Sequence, residues 1–313
     1  MLGTVSITNH DTMAIDQAQL DRLQRSATYA SVTVATILVL TKIGAWLSTS
    51  SISVLSSLVD SMLDIAASLL TLLAVRLALR PADREHRFGH GKAEGLAALG
   101  QSVIISVSAL YVLSEALPRF AAPRDIENPT LGIGVMLVSI VLTQALLLYQ
   151  RYVIRRTGSL AIGADALHYQ ADLLMNLAVA VALPLTVWTE IKLIDPVVGI
   201  LIAGYILWST FNIAREALDV LLDRELPDED RQKIRRLAMQ HPEVRGFHDL
   251  RTRFGGNQYF IQFHLELDSG TSLLQAHRVL DAVEDDVRGA FPNCDIIVHP
   301  DPEGVEEDRD SFA

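Results

Sequence analysis

Six stretches of this sequence, at about 27–49, 52–79, 95–118, 130–153, 160–189 and 193–214, are apolar over the roughly 20 residues that a helix needs to cross a bilayer. Lipid offers no hydrogen-bond partners, so each stretch has to satisfy its backbone internally, as a helix. The pattern predicts an α-helical membrane domain of six transmembrane helices. Composition agrees: 50% of the residues are hydrophobic and mean hydropathy is +0.29, which is more apolar than most soluble enzymes. An even number of spans leaves both termini on one side. Arg22, Arg25, Arg80, Arg84, Arg87, Lys92, Arg151, Arg155 and Arg156 flank that side, whereas the other carries chiefly Arg119, Arg124 and Lys192. The positive-inside rule therefore makes both termini cytoplasmic.

After Arg215 the pattern changes. "LPDEDRQKIRRLAMQ" reads as a helix whose acidic first turn and basic later turns suit its dipole. "FHDLRTRF", the turn "GGN" and "QYFIQFHLELD" read as a hairpin, because Tyr259, Ile261, Phe263, Leu265 and Leu267 alternate with polar residues. A helix at about 272–289 and the strand "DIIVH" complete an α-β-β-α-β order, a small open-faced sandwich. The expected organisation is a mobile N-terminal segment at 1–24, the membrane domain at 25–214, a soluble α+β domain at 215–302 and an acidic tail at 303–313. Residues 1–22 lack the apolar core of a cleavable signal peptide. A net charge of −11 excludes nucleic acid as a partner, which calls for a concentrated basic surface. The single cysteine, Cys294, excludes an intrachain disulfide and fits a reducing compartment.

Polar groups inside the apolar stretches carry the functional information. "SLVDSMLDIAASLL" holds Asp60 and Asp64, and "DALHYQADLLMN" holds His168 and Asp172, each pair four residues apart. On a helix that interval stacks the two side chains of a pair on one side. Facing helices would then offer three carboxylates and one imidazole, a donor set suited to a tetrahedral divalent ion, Zn²⁺ first. The bland alternative is hydrogen bonding within the bundle, or pairing with Lys42, which could neutralise one acid but not three. The loop "PADREHRFGHGKAEG" adds Asp83, His86 and His90; Pro81 and the glycines argue against a helix there, and Lys92 and Glu94 read as snorkelling residues at the headgroups. In the soluble part, His264 falls on the polar side of its strand, while His299 and Asp301 share a strand face. His248 opens the hairpin, and His277 lies between Leu273 and Leu280 on an apolar helix stripe, where a core histidine is the ordinary finding.

In chain order, "LVDSMLD", "FGHGKAEGLAAL", "DALHYQAD", "LLDRELPDE", "HDLRTR", "QFHLEL", "QAH" and "VHPDP" resemble the motifs of a known family, the cation diffusion facilitators, and within it the bacterial zinc efflux branch. The resemblance runs from about residue 25 to 302. It implies a homodimer in the inner (plasma) membrane, each protomer joining six membrane helices to an αββαβ metallochaperone-like cytoplasmic domain. It implies efflux of Zn²⁺, or of Cd²⁺, Fe²⁺ or Mn²⁺, in exchange for protons by alternating access. By the same resemblance, Asp60, Asp64, His168 and Asp172 form the transport site, and Asp83, His86 and His90 a loop site. His248, His264, His277, His299 and Asp301 form a binuclear cytoplasmic site in which Zn²⁺ is structural, and Lys92 and Asp223 form a charge interlock. Pro300 departs from the family pattern, which has a polar residue there.

Two other function classes use the same residues. A membrane metallohydrolase needs a metal with an open coordination position, and neither H-E-x-x-H nor G-x-S-x-G occurs in a plausible context. A membrane metal sensor would bind ions in the soluble part and carry nothing across. Ion uptake into sealed proteoliposomes separates the three.

Overall fold

The computed structural model describes residues 8–49, 52–121, 133–189, 191 and 193–305. Contacts divide the chain into two units: Met1–Pro81 with Ala93–Leu218, and Ala82–Lys92 with Asp219–Ala313. The first holds six long helices, α1 (Thr8–Thr49), α2 (Ile52–Ala78), α3 (Lys92–Ala121), α4 (Ile133–Thr157), α5 (Leu160–Thr189) and α6 (Ile194–Leu221). Five contain segments long and apolar enough to cross a membrane: Gln17–Ser48, Ser57–Ala78, Lys92–Pro118, Leu137–Thr157 and Pro196–Leu221. The remaining one, α5, is 30 residues long and carries Asp165, His168 and Asp172 in its first half. Residues 8–24, expected to be mobile, continue α1 as helix. Neither glycine nor proline interrupts them, and extending an existing helix needs no new nucleus. Residues 1–7 and most of the acidic tail, 306–313, lie outside the described residues.

The helices pack through small residues. Ala27, Ala74, Ala97, Ala98, Ala161, Ala164 and Ala217 are buried, while Leu40, Leu63, Leu73, Leu96, Val107, Leu110, Trp208 and Phe211 point outward. In water that arrangement would be inverted. In lipid, where apolar side chains gain nothing by leaving the solvent, close backbone approach through small residues is what holds helices together.

The second unit follows the patterned order: α7 (Asp228–Met239), β1 (Val244–Phe254), β2 (Tyr259–Leu267), α8 (Leu273–Ala290) and β3 (Cys294–Pro302). β1 and β2 pair antiparallel, β2 and β3 parallel, in sheet order β1-β2-β3. Ile261, Phe263, Leu265 and Leu267 on one face pack with Ile234 and Ala238 of α7 and Val283 and Val287 of α8. Ser272 caps α8 in a reciprocal box with Gln275, fixing where the crossover helix begins. Both helices cover one face, so the other is left for polar side chains.

The segment Ala82–Lys92, which sequence order places among the membrane spans, belongs to this unit because it is fastened to the β1–β2 turn. Phe88 meets Phe260 edge-on at 5.5 Å, and Arg253 lies over both rings. Backbones touch directly: a Cβ on Gly256 would lie 2.3 Å from the Gly91 carbonyl oxygen, and Gly256 has φ +94°. We therefore expect Gly256→Ala to cost about 1–3 kcal/mol through backbone strain and to detach the loop. Thermal unfolding of the full-length chain in detergent, with limited proteolysis within residues 82–92, checks this.

Candidate metal centres

The membrane cluster is built by α2 and α5. His168 Nε2 lies 2.9 Å from Asp64 Oδ1 and 3.8 Å from Asp172 Oδ2. One ligand atom from each of Asp64, His168 and Asp172 lies within 4.8 Å of the others. His168 is buried and the two carboxylates are half-buried. Asp60 does not join them. It is exposed, one turn before Asp64 on α2. Lys42, the residue that could have neutralised an acid, donates instead to the Ser57 carbonyl at 3.0 Å and to Ser61 Oγ at 2.6 Å.

The loop cluster is compact despite lying outside any helix. Asp83 Oδ1 accepts from the backbone N–H groups of His86 (2.7 Å) and Glu85 (2.9 Å), which curls the segment around the carboxylate. The same two N–H groups, His86 first, hold the Asp83 carboxyl below the usual carboxylate range. His86 Nδ1 and His90 Nε2 then lie 3.3 and 3.4 Å from its two oxygens. Among the described residues, the buried His90 Nδ1 has no hydrogen-bond partner.

The cytoplasmic cluster comes from strand register. His248, His264 and His299 form one row across β1, β2 and β3 on the face without helices, and Asp301 stands opposite Glu266 one pleat further on. A bulge after His248 places Asp249 at φ +48°, with Oδ2 3.2 Å from His248 Nδ1. Asp301 Oδ2 is 2.8 Å from His264 Nδ1 and 3.3 Å from His248 Nε2. Among the described residues its other oxygen is buried without a hydrogen bond, although His299 Nε2 lies 3.2 Å away. His248, His264 and Asp301 thus offer convergent ligand atoms, with His299 beside them. His277 does not converge. Nor is it the core histidine that its helix stripe suggested: it is exposed beside Leu273 and Leu274 and pairs with Asp281 at 3.5 Å, while Ala276 and Leu280 turn toward the domain core.

Profiles of known families match both parts. Residues 28–222 match the cation efflux transmembrane domain, and residues 226–303 the cytoplasmic domain of cation efflux proteins. The chain belongs to the cation efflux family. Among its relatives, the cation-efflux pump FieF of Serratia proteamaculans is 46% identical over 286 residues, covering 91% of this chain and 95% of that one. The FieF of Pectobacterium carotovorum is 47% identical over 281 residues, covering 90% and 93%. This cation efflux protein is an integral membrane transporter, not an enzyme.

Two carboxylates of the transporter escaped the sequence reading. Glu94, a snorkelling residue on the bland reading, is buried and accepts a hydrogen bond from Ser159 Oγ, which itself accepts from the Ile162 N–H, so the carboxylate braces the N-terminus of α5 from another helix. Asp165, fully buried, is bonded to Ser31 and Gln150. The pair Lys92–Asp223, read as an interlock, is in place at 2.9 Å, and Arg253 reaches the same carboxylate at 3.2 Å. For the cytoplasmic cluster we expect Asp301→Ala to remove most of the zinc-dependent rise in melting temperature of the purified chain, and His277→Ala to retain most of it. Differential scanning fluorimetry with titrated zinc measures both.

Proposed function

We propose that this transporter exports Zn²⁺ from the cytoplasm in exchange for protons, by alternating access to the site formed by Asp64, His168 and Asp172, to which Asp60, outside the cluster in this structure, turns as fourth donor when the ion binds. The observation that carries the reading is the 2.9 Å approach of His168 to Asp64 between two helices of the membrane unit. Imidazole with carboxylates is a zinc-compatible set, and carboxylates alone would suit harder ions as well. Ligands shed protons when they take a metal. Zinc and protons therefore compete for the same atoms, and a site that opens to each side in turn exchanges one for the other. The transport step is linkage, with no covalent chemistry.

The remaining features fit the same scheme. All six long helices span the inner membrane, α5 included, and both termini face the cytoplasm, in keeping with the arginine-rich flanks. Two copies associate as a homodimer, for which the apolar groove of Leu273, Leu274, Ala276, Leu280 and Pro300 on α8 and β3 offers a face. Asp83, His86 and His90 would hold one ion on the loop. His248, His264, His299 and Asp301 would hold structural zinc in the cytoplasmic domain, with His277 approaching on dimerisation. The FieF relatives are named cation-efflux pumps, which favours transport over a sensor that moves nothing.

His168 is the one nitrogen donor in this site, so it sets ion choice. His168→Asp is expected to lower zinc uptake and raise the manganese-to-zinc ratio at least about fivefold, since the set becomes all oxygen. Initial uptake of each ion into proteoliposomes, with proton flux followed by an internal pH dye, tests site and exchange together. An unchanged ratio, or zinc entry without opposite proton movement, contradicts the reading.

A further inference from the structure

Asp165 stands three residues before His168 on α5 and is wholly buried, yet no metal-binding role falls to it. Its Oδ2 accepts hydrogen bonds from Ser31 Oγ of α1 at 2.5 Å and from Gln150 Nε2 of α4 at 2.7 Å. Its Oδ1 faces Ser68 Oγ of α2 at 3.5 Å, and Ser68 pairs with Tyr169 OH at 2.8 Å. Tyr169 in turn donates to the Ser31 carbonyl at 3.3 Å, and Gln150 Nε2 also reaches Ser31 Oγ at 2.9 Å. One carboxylate thus fastens a single turn of α5 to three other helices.

The position of this polar layer gives it a purpose. Ser68 is one helical turn beyond Asp64 on α2, and Tyr169 is the neighbour of His168 on α5. The layer therefore lies directly beside the one in which Asp64 meets His168. Helices in lipid lack a hydrophobic drive toward one another, so their register depends on packing and on interhelical hydrogen bonds of this kind. A small slip or rotation of α5 against α2 would part Asp64 from His168.

We propose that Asp165 is a positioning residue for the transport site: its hydrogen bonds to α1, α2 and α4 set the height and rotation of the α5 turn that carries His168. The inference rests on the assignment of Asp64, His168 and Asp172 as the zinc site. The role is one of hydrogen-bond geometry rather than charge. An asparagine oxygen can accept from both Ser31 and Gln150, while its amide donates to Ser68, whose hydroxyl then passes its proton toward Tyr169. Alanine leaves the buried Ser31 and Gln150 donors without that acceptor.

The test measures zinc uptake by the full-length chain in proteoliposomes, with KM and kcat for wild type, Asp165→Asn and Asp165→Ala. Outer partners of metal ligands typically govern ~10–100-fold in affinity, so Asp165→Ala should raise KM at least about tenfold while Asp165→Asn stays within about threefold. That rescue would not occur if charge were the operative property. Should the alanine chain fail to fold, Gln150→Leu and Ser31→Ala each remove one spoke and are expected to raise KM severalfold. A wild-type KM in Asp165→Ala, or in both spoke variants, overturns the proposal, as does an asparagine variant as impaired as alanine. Wild-type vesicles that take up no zinc overturn the site assignment itself, and this inference with it.

Discussion

An ionisable side chain at the centre of a bilayer costs roughly 2.5–3.5 kcal/mol even on the gentler insertion scales, and two helices of this protein bring three of them to one place. Asp64, His168 and Asp172 meet across the α2–α5 contact with 2.9 Å between imidazole and carboxylate. In the proposed reading a divalent cation supplies the compensating charge while using every donor. The rest of the membrane unit is arranged around that requirement. Buried alanines let the backbones approach, a polar layer holds α5 in register, and Glu94 closes its N-terminus.

The cytoplasmic unit gathers histidines and carboxylates in the same way. A row of histidines on the uncovered sheet face converges on the buried Asp301, and the loop His86 and His90 converge on Asp83. The two clusters share one folded body, because Phe88, Gly91 and Lys92 tie the loop to the β1–β2 turn and to Asp223. That loop connects α2 to α3, and α2 carries Asp64.

Much of this was legible in the residues themselves. Alternation in β2 and apolar length in the spans depend on local order alone, so they could be read directly; helical spacing paired Asp60 with Asp64 and His168 with Asp172, each within one helix, but not one helix with the other. What escaped depends on tertiary neighbours. Asp165 reads as one more polar residue until Ser31, 134 positions away, is seen to bond it. Glu94 has the sequence of a surface residue but the surroundings of a helix cap. His277 shows a different limit: an apolar stripe does not say which of its residues turn toward the core.

In the proposed reading zinc is held inside the membrane by one imidazole and carboxylates. Zinc-edge X-ray absorption tests this on the chain carrying Asp83→Ala, His248→Ala and Asp301→Ala, so that the loop and cytoplasmic clusters are disabled. Zinc is expected to remain bound, with a single imidazole in a shell otherwise made of oxygen. A chain that retains no zinc, or a shell without imidazole, would contradict it.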